Sequence, residues 1–367
     1  MNSSKTNAFF NGVPNWIKKD ILQISGFQEG HLPFRYLGVP ITCGRMSKSD
    51  CCILVEKFIS KIRSFGTKKL SYSGRLVLVS SVLTALYNYW VNIFVIPKGV
   101  LNKINSICRN YLWDGGVDYI RAPRVSWEKI CSPTTEGGSG LRDSHTWNIA
   151  ALGKLVWWIY YNPDRLWVKW VNQVYLKGQS WEDYNPGIDI SWGWKSICKI
   201  KDKLAASYSN GQWALDTTGY TIQSGYELLR MKFQTVSLHK QLWNSWYIPK
   251  HKFIGWLVSR EALLLKENLL ALGIANDVDC LLCGRGIENH THLFQTYEYT
   301  RKIFDNLAKL LGVPLPRNKA RVDGCLLRPA LVTDMIMKVV KMRVVARLNP
   351  GIDSRDVSWL SSAKLYL

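Results

Sequence analysis

The sequence predicts a mainly α protein with one small β-hairpin element near its N-terminus. Three observations set that class. Apolar residues recur at helical spacing through most of the chain, as in Ile53, Phe58, Ile59 and Ile62, and again in WNIAALGKLVWWIYY from Trp147. Strand-like residues bracketed by turn formers are confined to LPFRYLGVPIT, residues 32–42. Hydrophobic residues make up 47% of the 367, enough to bury a large core and too many for a disordered chain.

Residues 1–45 are punctuated by Gly26, Gly30, Pro33, Gly38, Pro40 and Gly44, and they hold the hairpin. Residues 46–113 form a helical domain. Ser47 or Ser49 caps its first helix, with Asp50 in the opening turn. The uncharged run 76–97 is long enough to span a membrane. Ser80, Ser81, Thr84, Asn88 and Asn92 are spread through it, so it reads as a buried helix of a soluble domain. A third helix, 99–113, stops at the two glycines of YLWDGG.

Residues 114–218 form a Trp-rich helical connector. EGGSGLRD, 136–143, lacks the lysine and strand–helix context of a phosphate-binding loop and reads as a structural turn. Trp147, Trp157, Trp158, Tyr160, Tyr161, Trp167, Trp170 and Tyr175 follow at a spacing that suits a core better than a base-stacking platform. SWGWKSICKIKDKL, 191–204, repeats the mixture. Residues 219–312 form a helical domain around a Cys/His loop, its first helix capped by Ser224 and later ones separated at Pro249. Residues 313–367 are a basic tail, partly irregular, with an amphipathic stretch carrying Lys338, Lys341, Arg343 and Arg347.

The net charge of +21 calls for a polyanionic partner, nucleic acid or an acidic membrane face. The densest cationic stretch holds Lys57, Lys61, Arg63, Lys68, Lys69 and Arg75 with no acid among them, and Phe65 and Tyr72 interleaved. Cations for the phosphate backbone and rings for stacking make it the candidate nucleic-acid surface. Nine scattered cysteines argue for reduced thiols, and MNSSKTNAFF lacks a signal-peptide pattern. The expected location is therefore nucleus or cytoplasm, without secretion. No adjacent aspartate pair, H-E-x-x-H or G-x-S-x-G occurs, so no complete active site is visible.

Cys280 and Cys283 form a C-x2-C pair, with His290 and His292 close behind. Two thiols and nearby imidazoles on a tight turn are a tetrahedral zinc donor set. A fourth ligand should follow soon after, and no cysteine stands there.

LPFRYLGVPIT, LSYSGRLVLVSSVLTALYNYW (70–90), IPKGVLNKINSICRNYLW (96–113), EGGSGLRD and the Cys280–Phe294 loop, in that order, resemble plant LINE-type (non-LTR) retrotransposon reverse transcriptases over nearly the whole chain. The resemblance implies that residues 2–6 end the polymerase palm, with Lys5 at the lysine of its fourth motif. It implies that FRYLGV, 34–39, is the primer grip, which brings Arg35 and Tyr36 to the nucleic acid. Residues 46–113 would be the thumb that holds RNA or an RNA–DNA hybrid, and 220–305 the reverse transcriptase zinc-binding domain. The family's zinc loop ends H-x4-C. Here Cys280, Cys283 and His292 match and Tyr297 stands at the fourth-ligand position, with His290 as the substitute to consider.

The palm motifs bearing the catalytic aspartates precede the matched region, so the resemblance implies a truncated, non-catalytic chain that needs no catalytic magnesium. It also implies exposed apolar surface near residues 10–45, where a palm would pack. The competing readings are part of an active RNA-directed DNA polymerase supplied with a palm, an inert retroelement relic, and a basic metal-binding regulator.

Overall fold

A computed structural model describes residues 6–302, apart from 11, 43, 66–69, 119–122, 208–218, 237–238 and 244–248. Lys5, Lys68, Lys69, Cys43, Cys325 and the basic tail lie outside the described residues.

The described residues are mainly helical, with two minimal two-stranded sheets. Strand β1 (Asn7–Ala8) pairs in parallel with β2 (Gln28–Glu29), with α1 (Asn15–Ser25) between them. Strands β3 (Phe34–Tyr36) and β4 (Val39–Ile41) form the expected antiparallel hairpin, with Tyr36 opposite Val39. Its turn is the pair Leu37–Gly38, both at positive φ (49° and 81°), which suits the twist of a two-residue hairpin. Helix α2 (Cys52–Ser64) follows a cap in which Asp50 Oδ2 accepts from the Ser47 amide and hydroxyl, both at 2.7 Å. Those hydrogen bonds hold the Asp50 carboxyl below its ordinary pKa.

The uncharged run is three pieces: α3 (Tyr72–Leu78), a π-helical turn (Val79–Leu83) and α4 (Thr84–Val91). Ser80 and Ser81 both donate to the Val77 carbonyl, the back-bonding that loosens a helical ladder. No helix among the described residues is long and apolar enough to cross a membrane. Next come α5 (Lys98–Asp114), α6 (Trp127–Ile130), α7 (Ser144–Tyr161), α8 (Leu166–Val171) and α9 (Trp192–Ser207). The chain continues with α10 (Ile222–Leu229), α11 (His239–Leu242), α12 (Pro249–Ser259) and α13 (Lys266–Ala271). The cap of α10 is Thr221 rather than Ser224. The Thr221 hydroxyl accepts from the Ser224 amide, and the Ser224 hydroxyl accepts from the Thr221 amide, a reciprocal box.

The chain divides into two compact units, each built from separated segments. One comprises 1–61, 83–106 and 143–230. Its core lies among α7, α9 and the loop 181–184, where Val156, Trp181, Trp194, Cys198 and Leu204 are buried. Trp194 stacks on Tyr175 at 4.5 Å between centroids and donates its indole N–H to the Tyr184 hydroxyl. The connector tryptophans thus serve mainly as core, although Trp170 stays half exposed. Helix α10 packs closely on α7 because two glycines face Tyr220. A Cβ on Gly153 would lie 2.5 Å from the Tyr220 hydroxyl and one on Gly225 1.8 Å from it, and that hydroxyl donates to the Ala150 carbonyl. Buried Asn148 ties α7 to the chain after α4: its Nδ2 donates to the carbonyls of Val91 and Phe94, and its Oδ1 accepts from the Ile96 amide. At the N-terminal end of this unit no residue of α1 is buried, and Trp16, Ile24 and Leu37 are largely exposed. This is apolar surface in the region where it was expected.

The other unit comprises 62–82, 107–142 and 231 onward. Tyr72, Trp113, Phe253 and Trp256 form a continuous ring cluster. The EGGSG turn is structural: its Gly137 carbonyl accepts from Trp256 Nε1 at 2.8 Å and from the Arg260 guanidinium, and Glu136 Oε2 accepts from the Phe233 amide. Gly138 cannot carry a side chain, since a Cβ there would sit 2.0 Å from the Ser132 carbonyl oxygen.

Candidate metal centre and basic surface

The cysteine loop is assembled by short-range polar contacts rather than by a core. A reverse turn brings the Gly284 amide onto the Cys280 carbonyl at 2.8 Å, and the Cys280 amide donates to the Gly286 carbonyl at 3.0 Å. Buried Glu288 clamps the base: Oε2 accepts from the Leu281 amide, and Oε1 from the Lys266 amide at the start of α13. Asn289 Oδ1 caps the next turn by accepting from the His292 amide at 2.8 Å. That turn, His292–Thr296, is π-helical and carries the imidazole back toward the thiols.

The result is a cluster of three donors. The ligand atoms of Cys280, Cys283 and His292 all lie within 4.8 Å of one another. Cys283 Sγ is 3.3 Å from His292 Nε2, near the roughly 3.5 Å expected of sulfur and nitrogen sharing one tetrahedral zinc. His292 Nδ1 faces Thr296 Oγ1 at 3.2 Å, which leaves Nε2 as the metal-facing nitrogen. Soft thiolates with an imidazole fit zinc, and when bound the ion would cross-link the turn to the π-helical segment.

His290 does not join the cluster. It stacks toward Phe294, its Nε2 is buried with no hydrogen-bond partner among the described residues, and burial holds its pKa below the ordinary histidine value against the pull of Glu261 and Glu267. Tyr297 stands beside the cluster, its ring centroid 5.9 Å from that of His292. Glu288, Asn289 and Thr296 were not singled out in the sequence. Their signal was present: Asn289 stands three residues before His292, the spacing of a capping side chain, and Thr296 four after it.

The proposed nucleic-acid residues separate into groups. In the first unit, Lys57 and Lys61 lie one turn apart and exposed on α2, beside the stripe that buries Leu54 and Phe58. Arg35 and Tyr36 are exposed on the hairpin, and the Lys57 ammonium lies 3.5 Å from where a Gly38 Cβ would be. The Lys57 ammonium of α2 therefore lies beside the hairpin turn. In the second unit, Arg63 is exposed. Arg75 is not a surface cation: it is buried, and its Nη1 donates to the carbonyls of Leu112 (3.4 Å) and Trp113 (3.1 Å) at the end of α5. Those carbonyls need a donor, and Arg75 supplies it. Phe65 packs on Tyr111 and Tyr72 on Phe253, so these rings are occupied by protein neighbours.

Residues 220–304 match the family described as zinc-binding in reverse transcriptase. The donor cluster falls inside that match. Over 141 residues the chain is 28% identical to an Arabidopsis thaliana protein named "Putative ribonuclease H protein"; the aligned part is 38% of this chain and 23% of that protein. The chain thus spans well under two thirds of that relative's length.

Proposed function

We propose that this chain binds RNA or an RNA–DNA hybrid as the thumb and zinc-binding part of a plant retroelement reverse transcriptase of the LINE type, without carrying out polymerisation itself. The match of residues 220–304 to the family described as zinc-binding in reverse transcriptase supports this reading. The observation that carries the binding claim is that Arg35, Tyr36, Lys57 and Lys61 are all exposed, with the Lys57 ammonium beside the hairpin turn, in a chain of net charge +21. Lysines and arginine neutralise phosphates, and the exposed Tyr36 ring offers a stacking face. Zinc at Cys280, Cys283 and His292 serves as a structural cross-link. The partner places the protein in nucleus or cytoplasm.

Fluorescence anisotropy of the full chain with a labelled RNA–DNA hybrid tests this. The logarithm of the affinity should fall linearly with the logarithm of salt concentration, and Lys57→Gln with Lys61→Gln should lower that slope by about one unit each. Absence of binding at low salt, or binding indifferent to salt, would overturn the proposal. Primer extension by the purified chain would overturn its non-catalytic part.

A further inference from the structure

The donor cluster is one ligand short, and the shortfall has a direction. Among the described residues only Cys280, Cys283 and His292 converge. Tyr297, at the position where a fourth donor was expected, is tied to the turn through its backbone. Its amide donates to the His292 carbonyl at 2.7 Å, closing the π-helical turn, and its ring lies tilted 51° to the His292 ring and toward Tyr299. A neutral phenol is a weak zinc donor. His290 is packed against Phe294.

The turn that carries the thiols faces solvent. Leu281, Leu282, Gly284, Arg285 and Gly286 are exposed and Cys283 is half-buried, whereas Cys280 is buried. Zinc held by three protein donors takes its fourth ligand from outside, and zinc sites of this kind exchange that ligand.

Resting on the zinc reading above, we propose that this centre keeps an exchangeable fourth position on its solvent side, which accepts an exogenous thiolate or imidazole, with the Tyr297 ring as a neighbouring wall and not a ligand. The exposed Arg285 guanidinium, two residues beyond Cys283, favours an anionic donor such as a small thiolate. The centre then differs from a closed structural site. It cross-links the loop and also captures a soft donor, either a free thiol or a cysteine or histidine side chain reaching in.

The test is cobalt(II) substitution in the full chain, read by visible absorption. Cobalt uptake followed by a band shift on adding imidazole, and a different shift on adding 2-mercaptoethanol, is the expected result. Tyr297→Cys should give a more intense thiolate spectrum that no longer responds to either. Tyr297→Phe should behave like the unchanged chain, since no bond to the phenol is lost.

A cobalt spectrum indifferent to both additives would overturn the open position while leaving the metal centre standing; Cys325→Ser would then show whether that cysteine fills it. Loss of the response, or of a phenolate band, in Tyr297→Phe would make Tyr297 the fourth ligand and overturn the proposal. Failure to take up cobalt at all would overturn the zinc reading and the proposal with it.

Discussion

The Trp-rich core and the cysteine loop solve the same problem, ordering a short stretch of chain, by different means. Around Trp194 the order comes from burial: Val156, Val168 and Val171 have no exposed surface, and Tyr175, Trp181 and Tyr184 pack on the indole. Even the buried Lys201 is fully engaged, since its ammonium donates to the carbonyls of Trp181, Glu182 and Tyr184 and lies over the Trp181 ring. The cysteine loop buries little apolar surface. Leu281 is 77% exposed and Leu282 63%, and the turn depends on Glu288, Asn289 and backbone amides. The first region is specified by the chain itself. The second is shaped by polar contacts into a donor cluster that could hold an ion, and only a bound ion would add a cross-link.

The sharpest way to break the contrast is to remove the centre of the core. Trp194→Ala should cost about 3–5 kcal/mol, because it leaves a cavity and strands the Tyr184 hydroxyl. Urea unfolding followed by far-ultraviolet circular dichroism would measure it, and a loss below about 1 kcal/mol would mean that the aromatic stack repacks. Next in size is Asn148→Ala, which leaves two carbonyls and one amide without their partner and should cost about 1–3 kcal/mol in the same assay. A neutral result would require water to replace the amide.

Burial and polar positioning were unequally legible in the sequence. Helical periodicity and residue type disclosed the helices, the hairpin and the aromatic core, because the 3.6-residue repeat and the turn formers are local signals. The three metal donors were legible because C-x2-C fixes a turn by itself. What charge alone could not tell was direction. Arg75 reads like its basic neighbours, yet the open carbonyls at the end of α5, some forty positions along, draw it inward. Likewise His290 and His292 both follow the thiols closely, and only the resemblance set His292 ahead of its neighbour. Only the π-helical turn, with Asn289 as its cap, sends one imidazole to the thiols and the other against Phe294.

The loop side of the comparison is sharpened by Glu288→Gln. The carboxylate accepts two backbone amides, and a carboxamide can accept only through one of its two atoms, so one amide would meet a donor. Zinc affinity should fall about tenfold, the usual consequence of loosening a ligand's support, while helix content stays unchanged. Competition with a chromophoric chelator would measure it. Unaltered affinity would mean that the turn holds its shape without the clamp.

The smallest effect is kinetic, and it contrasts the two environments thiol by thiol. Burial pushes the thiol of Cys198, in the Trp-rich core, up to about 11, and those of Cys51 and Cys108 up to about 12. At neutral pH these thiols carry almost no thiolate, the reactive form, whereas Cys52 is exposed. Iodoacetamide labelling mapped by mass spectrometry should therefore find Cys52 well before Cys198. Raising the pH from about 7 to about 9 should leave Cys198 slow, because its raised pKa still lies above that range. Cys283 should label readily without zinc and be protected with it, whereas added zinc should not change the rate at Cys198. Equal protection of both thiols by zinc would show that the ion orders far more than its own loop and would erase the distinction between the two regions.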